Sequence, residues 1–360
     1  MVRVGEDQGA PILITHPFSP DLRTYTHAGL PHFGSTRFGR ASRPSPVASV
    51  AVRGLALAAI AGAIAVPLLR KKHRIGPVVT TAVAFSGPLG LAILKPRTKA
   101  RDAALYGLQM WAFNVVHELP YDDPEKLRER LLIKYPITID KWLGAGELPG
   151  VRLQRLLARE NGEVTVLDRV LVAAHWAWFI WPHAVMVYIL TRRNKTFARA
   201  ARQMAATYDI GALIYCLAPT APPWWASENG YLSEDEELSP ELRRVMLHVG
   251  EHFWGPAWPH LFQSFNGNPW AAMPSLHFAA ALMAALLLSE TGNVAGAVGW
   301  SYALTLGFAL VYLGEHYLTD VLAGALLVAA VRKGEPLVEP LALRMSAGIQ
   351  NWERIANAAT

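Results

Sequence analysis

The amino-acid sequence predicts an all-α, polytopic membrane protein with a six-helix catalytic core and one or two further transmembrane helices ahead of it. Three observations carry that expectation. Hydrophobic residues fill 52% of the 360 positions against 17% charged, a balance that belongs to membrane chains. Four stretches, 75–94, 170–190, 270–288 and 294–314, contain no Asp, Glu, Lys or Arg, and each approaches the roughly 20 apolar residues that cross about 30 Å of hydrocarbon as a helix. The cations gather in short linkers beside apolar runs, where they act as topology determinants. The bilayer is therefore the expected partner of the +6 net charge, and nucleic acid is not. Cys216 is the only cysteine, so an intramolecular disulfide is excluded.

In chain order, residues 1–46 are polar, basic and rich in Pro, Gly, Ser and Arg, with no apolar h-region before residue 47. They read as a disordered tail rather than a cleavable signal peptide. Residues 47–101 form an N-terminal transmembrane or re-entrant pair, 47–69 and 75–94. The second member has Arg70, Lys71, Lys72 and Arg74 before it and Lys95, Arg97, Lys99 and Arg101 after it. One of these basic loops breaks the positive-inside rule unless 75–94, helped by Gly87-Pro88, re-enters the face it left; the sequence leaves both possibilities open.

Residues 102–331 hold the catalytic membrane domain, with spans expected at 103–117, 170–190, 210–226, 270–288, 294–314 and 317–331. The stretch 118–166, broken by Pro120, Pro124, Pro136 and Pro149, is too polar to span. It should lie along the outer surface, with an amphipathic helix near 150–158. Arg192, Arg193, Lys195, Arg199 and Arg202 mark the cytoplasmic side. The loop 223–269 is then outside, carrying Glu228, Glu234, Asp235, Glu236, Glu237, Glu241 and Glu251 against Arg243 and Arg244. Arg332 and Lys333 open a cytoplasmic tail over 332–360.

His277 and His316 both fall at the outer ends of their spans in this topology. They are 39 positions apart, roughly 58 Å of helix at 1.5 Å per residue, close to two crossings, so a hairpin returns one imidazole to the other. Asp320 follows His316 by four, one turn deeper on the same helical face. A carboxylate at membrane depth costs roughly 2.5–3.5 kcal/mol on insertion scales, which argues against Asp320 as filler. Two imidazoles and an orienting acid suit in-line displacement at phosphorus: one ring attacks, the other protonates the leaving oxygen, and the acid sets the tautomer of the first. Neither a metal nor an organic cofactor is called for.

Pro274-Ser275-Leu276-His277 resembles the second signature of the type 2 phosphatidic acid phosphatase superfamily, and Gly314-Glu315-His316-Tyr317-Leu318-Thr319-Asp320 resembles its third. The likeness covers roughly 102–331 as six helices. The longer segments Ala271-Ala272-Met273-Pro274-Ser275-Leu276-His277 and Pro219-Thr220-Ala221-Pro222-Pro223 are closer to its inositol phosphorylceramide synthase branch, whose members move a phosphorylated head group between lipids. The resemblance implies that His316 is the nucleophile, His277 the acid and later the base, and Asp320 the orienting residue. It further implies an integral membrane phosphotransferase with a lipid phosphate as donor and a polyol or lipid hydroxyl as acceptor, or, with water as acceptor, a lipid or polyprenyl phosphatase. An active site on the extracytoplasmic side of the plasma membrane fits that reading.

The chain departs from the phosphatase pattern in two places. The first signature, a Lys followed seven residues later by Arg-Pro, is absent, and Leu310 stands where an Arg is expected six residues before the nucleophile. Phosphoryl transfer needs cations or aligned N–H donors on the equatorial oxygens. The replacements expected here are the backbone N–H groups around Ser275 and Leu276, at a helix N-terminus, with Arg243 or Arg244 swinging in from the outer loop.

Other residues admit competing readings. His248-Val249-Gly250-Glu251-His252 has the spacing of an inverted zinc-protease motif, against which stand Gly250 inside the required helix and Pro256 just after it. His175 and His183 lie within 170–190 beside Trp176, Trp178, Trp181 and Pro182; a proton-coupled transporter uses such groups, and so does a kinked lipid pocket that includes His183. Asp209 is expected to pair with Arg199 or Arg202. Trp224, Trp225, Trp254, Trp258 and Trp270 mark the outer interface, where lipid head groups are handled.

Overall fold

The computed structural model describes residues 45–159, 163–232, 242–265 and 268–358. Apart from its last two residues, the expected disordered tail over 1–46 lies outside them. Within the described residues the chain is all-helical, and the extended contacts are two isolated bridges that tie Leu132 to Thr220 and Thr220 to Ala271.

The N-terminal hairpin is α1 (Pro46–His73) and α2 (Pro77–Leu94). Ser45 caps α1 by accepting from the Ala48 N–H, and both helices begin on a proline, whose fixed φ suits the first helical position. Gly87 and Gly90 of α2 lie against Ala63 and Ala56 of α1, so the pair runs antiparallel. Both are long and apolar enough to cross a bilayer. α2 is unbroken at Gly87-Pro88 and packs on α3 (Lys99–Glu118), the first helix of the larger domain.

Three short helices follow: α4 (Pro124–Glu129), α5 (Lys134–Leu143) and the amphipathic α6 (Pro149–Leu157). The apolar run 170–190 is a broken helix, α7 (Val166–Ala177) and α8 (Trp181–Arg192), bent by 52° with Pro182 in the first turn of the second half. α9 (Asn194–Leu217) starts sixteen residues before the expected 210 and ends where Pro219, Pro222 and Pro223 forbid its continuation. The loop beyond it carries α10 (Pro223–Glu228), α11 (Val245–Trp254) and α12 (Trp258–Phe265).

The last three helices are α13 (Leu276–Ser289), α14 (Asn293–Tyr312) and α15 (Leu318–Ala356). With 14 residues, about 21 Å of helix, α13 is short for a span. It forms the centre of the bundle, with Ala279, Ala280, Ala281, Ala284 and Ala285 fully buried against α9, α14 and α15. Small side chains let neighbouring backbones approach, the usual basis of helix packing in lipid. α15 continues past 331 through Pro336 and Pro340, and the Ala356 carbonyl accepts from the Ser49 hydroxyl at 2.9 Å. The segment over 332–360, expected as a cytoplasmic tail, is thus, up to Ala356, a continuation of α15.

Ion pairs define the two ends of the bundle. At one end Arg199 and Arg332 meet Glu290, Arg202 meets Glu335, and the Arg193 guanidinium donates to the Thr291 carbonyl. Lys99 joins them through the Thr191 carbonyl. The opposite end holds the α1–α2 turn, where Arg70 and Lys71 both contact Asp122, at 2.6 and 3.1 Å. The basic loop at odds with the other clusters is therefore 70–74, and Asp122 offsets part of its charge. Asp209 corrects an expectation: its carboxylate accepts from Gln109 at 2.8 Å, while the nearby arginines are taken by glutamates.

Candidate active site

Each member of the expected trio is set by local backbone chemistry. Ser275 caps α13, its hydroxyl accepting from the Phe278 N–H at 3.3 Å, and this presents His277 on the first turn. Gly314 adopts φ +74°, a left-handed conformation that a residue with a Cβ adopts only with strain. The resulting turn directs the N–H groups of Glu315 and His316 to one carbonyl, that of Leu310, at 3.0 and 3.1 Å. Asp320, in the first turn of α15, accepts from the Tyr317 N–H at 2.9 Å.

The three side chains meet. His277 Nδ1 lies 3.1 Å from His316 Nε2, and His316 Nδ1 lies 3.3 Å from Asp320 Oδ2. Asp320 is fully buried and His316 nearly so, while His277 is half-buried. Two contacts lock α13 to α15 beside them. The Ser275 N–H donates to the Asp320 carbonyl at 2.9 Å, and Gly324 sits where a Cβ would fall 2.7 Å from the Ser275 carbonyl oxygen. Any larger residue there would push the helices, and hence the two imidazoles, apart.

Asp140, on α5, anchors the start of α15 from 178 residues away. Its carboxylate accepts from the Leu318 N–H at 2.8 Å, from the Thr319 N–H at 2.7 Å and from the Thr319 hydroxyl. Burial pushes the Asp140 carboxyl up and these donors pull it back. Glu315, beside His316, is pushed up to about 7, first by burial, with Arg244 and His316 opposing.

A family model described as the PAP2 superfamily matches residues 150–332, just over half of the chain, and contains both histidines and Asp320. The chain belongs to the PAP2 superfamily. Comparison with curated proteins and with solved structures returns no match. Membership makes this a membrane-helical protein whose general function is phosphatase or phosphotransferase chemistry on lipid phosphates.

In this PAP2 superfamily member the expected anion donors are arranged differently from the sequence reading. The Ser275 amide is used by Asp320, and the Leu276 amide donates to the Tyr215 hydroxyl at 3.2 Å, which itself donates to the Pro274 carbonyl at 2.6 Å. Neither backbone N–H is open to an anion, because the turn that aims His277 consumes both. Arg243 is tied down as well: its guanidinium meets the buried Asp168 at 3.1 Å, and its backbone is bonded to Gln154. Arg244 lies over the Trp224 ring at 3.8 Å and pairs with Glu228 at 2.8 Å. Leu310 is fully buried among apolar side chains, so no cation enters from that position.

The residues beside His277 were not read as part of the site from sequence. The Trp178 ring lies 4.3 Å and the His175 ring 5.0 Å from the His277 ring, centroid to centroid. Tyr215 was also missed; a single Tyr inside an apolar span gives no signal of its own. His183 instead bonds the Tyr106 hydroxyl through Nδ1 at 3.1 Å. The motif 248–252 is helical as its spacing demands, with Gly250 accommodating the Trp258 ring. However, His252 Nε2 faces the Arg169 guanidinium at 3.2 Å, a poor neighbour for a metal cation. Among the described residues no group of three His, Cys, Asp or Glu side chains is arranged to hold a metal.

Proposed function

We propose that the protein is an integral membrane phosphotransferase that carries the phosphorylated head group of a lipid on His316. The observation that carries this reading is the buried relay of His277, His316 and Asp320, linked at 3.1 and 3.3 Å. A carboxylate only accepts, so Asp320 draws the His316 proton to Nδ1 and leaves the Nε2 lone pair on the side of His277. In the first step Nε2 attacks phosphorus, the P–O bond to the donor's lipid alcohol breaks, and His277 gives its proton to the departing oxygen. In the second, an acceptor hydroxyl bonds to phosphorus, its proton returns to His277, and the P–N bond breaks.

The finer assignment, an inositol phosphorylceramide synthase-like transferase rather than a phosphatase, rests on the likeness of Ala271–His277 and Pro219–Pro223 together with the missing Lys and Arg positions of the phosphatase pattern. The acceptor is then a polyol or lipid hydroxyl. The histidines lie at the end of the bundle opposite Arg193, Arg199 and Arg202, which supports an active site on the extracytoplasmic face; the plasma membrane is the proposed location. Trp224 with Arg244 over its face, and His183, are the proposed lipid contacts.

The test is a panel of labelled lipid phosphates offered to the purified protein in nanodiscs, with and without polyol or ceramide acceptors. Expected are an acid-labile phosphoprotein and an acceptor-dependent product, both lost in His316→Ala. Unchanged turnover of every lipid by His316→Ala would refute the nucleophile assignment, and release of free phosphate regardless of acceptor would make the protein a phosphatase.

A further inference from the structure

Transfer of a phosphorylated group places growing charge on the non-bridging oxygens, and a catalyst must meet that charge with fixed donors or cations. Around the two histidines the backbone and hydroxyl donors are already used, and Arg243 is held by Asp168 through one of its three nitrogens. The Ser275 and Leu276 amides and the Tyr215 hydroxyl each have a partner inside the protein.

Two donors next to His277 are not used. His175 is 5% exposed and its Nδ1 is buried with no hydrogen-bond partner among the described residues; Trp178 has its indole Nε1 buried in the same condition. They stand three residues apart at the end of α7, a spacing that puts both side chains on one helical face, and both rings contact His277. The helix breaks immediately after them. A buried polar group without a partner is a standing penalty that native structures avoid unless the group serves something else. Two such groups against the same imidazole call for a common explanation.

We infer that His175 Nδ1 and Trp178 Nε1 form an oxygen-binding pair that donates to the non-bridging oxygens of the phosphate ester held between His277 and His316. This rests on the phosphohistidine reading above and adds the part of the catalyst that reading lacks. Both groups donate while neutral: an indole always carries its N–H, and imidazole does so in one tautomer. Charge developing on those oxygens is thereby met without a permanent cation at this depth, where Arg and Lys are costly.

The probe is orthovanadate, which needs no knowledge of the natural lipid. Its affinity is measured by calorimetry for the full chain in nanodiscs, with thermal unfolding recorded in parallel. Trp178→Phe and His175→Phe should each weaken vanadate binding about 10- to 100-fold, in line with the loss of one preorganised oxyanion donor. Their unfolding temperatures should not fall, because each replacement removes an unpartnered donor. His175→Asn, which restores an N–H near the Nδ1 position, should recover part of the affinity. Where His175→Phe fails to fold, Trp178→Phe and His175→Asn carry the same comparison. Vanadate affinities within threefold of the parent in the folded variants overturn the inference. If His316→Gln also binds vanadate as the parent does, the phosphohistidine reading itself falls.

Discussion

Replacing Asp320 with Asn isolates the tautomer argument from everything else at the site. The carboxylate makes two bonds through Oδ2, accepting from the Tyr317 N–H at 2.9 Å and from His316 Nδ1 at 3.3 Å. An Asn whose amide oxygen takes the Oδ2 position still accepts from both donors, so the start of α15 should hold and stability should change by only about 1 kcal/mol. What it loses is the negative charge: a neutral amide oxygen is a weaker acceptor for the Nδ1 proton and gives less support to the ring as Nε2 bonds to phosphorus. The tautomer that leaves the attacking lone pair on Nε2 is then held less firmly. In the Ser-His-Asp hydrolases the same Asp-to-Asn change lowers kcat by about 10⁴, and a loss of about 10³ to 10⁴ is expected here. At 1.36 kcal/mol per decade this is roughly 4 to 5 kcal/mol of transition-state free energy. Single-turnover transfer from a labelled lipid phosphate, with acid-labile label on the protein as the second readout, measures it. A folded Asp320→Asn protein that labels and turns over within tenfold of the parent would refute the orienting role.

Three further outcomes follow from the geometry. Tyr215→Phe strands the Pro274 carbonyl and the Leu276 N–H in a buried turn, at about 1–3 kcal/mol for each group, so the unfolding temperature in detergent should drop and turnover should fall with it; an unchanged transition would mean the turn holds without the hydroxyl. Asp140→Ala removes the acceptor of two backbone donors at the start of α15 and should destabilise by about 1–3 kcal/mol, with Asp140→Asn intermediate, and equal unfolding temperatures for all three proteins would contradict the anchor. Glu315, pushed up to about 7 mainly by burial, makes the folded state the better proton binder. Stability should therefore fall as pH rises from the ordinary carboxyl range toward 7. Glu315→Gln should flatten that slope and be the relatively more stable protein above pH 7, and parallel pH–stability curves would count against the shift.

The fold was legible because lipid imposes it: apolar runs, cation clusters and prolines located most helices of 102–331 to within a turn or two, with α9 and the far end of α15 the exceptions. α9 begins at Asn194 because Arg199 and Arg202 find Glu290 and Glu335 across the bundle, and such long-range pairs leave no trace in local hydropathy. The extension of α15 past Arg332 escaped notice for the same reason. At the site, the nearness of His277, His316 and Asp320 could be read from spacing, since two spans and one helical turn are fixed lengths. Asp140 could not be read that way: it sits in a polar stretch and reaches the first turn of a helix 178 residues later. The amides of Ser275 and Leu276 looked available because a helix N-terminus normally exposes them, but here Asp320 and Tyr215 had already claimed both.

The direct bond between the two imidazoles says which of them moves. At 3.1 Å there is no room for phosphorus between Nδ1 of His277 and Nε2 of His316, and the cavity beside His316 is about 10 Å³, at the limit of one water molecule. In the proposed mechanism one ring must therefore swing aside to admit a phosphate. His316 is held on both flanks, by Asp320 through Nδ1 and by the Gly314 turn through its backbone, and it is 4% exposed. His277 is half-buried, and its side chain has His316 as its one hydrogen-bond partner among the described residues; beyond that it rests on the faces of Trp178 and His175. Releasing a single hydrogen bond costs about 1–3 kcal/mol, and a bond from His277 to the leaving oxygen replaces it. A fixed nucleophile and a mobile acid are the division of labour the proposed mechanism needs, since in-line attack depends on the position of Nε2, whereas proton delivery has to follow the oxygen that departs and then the one that arrives.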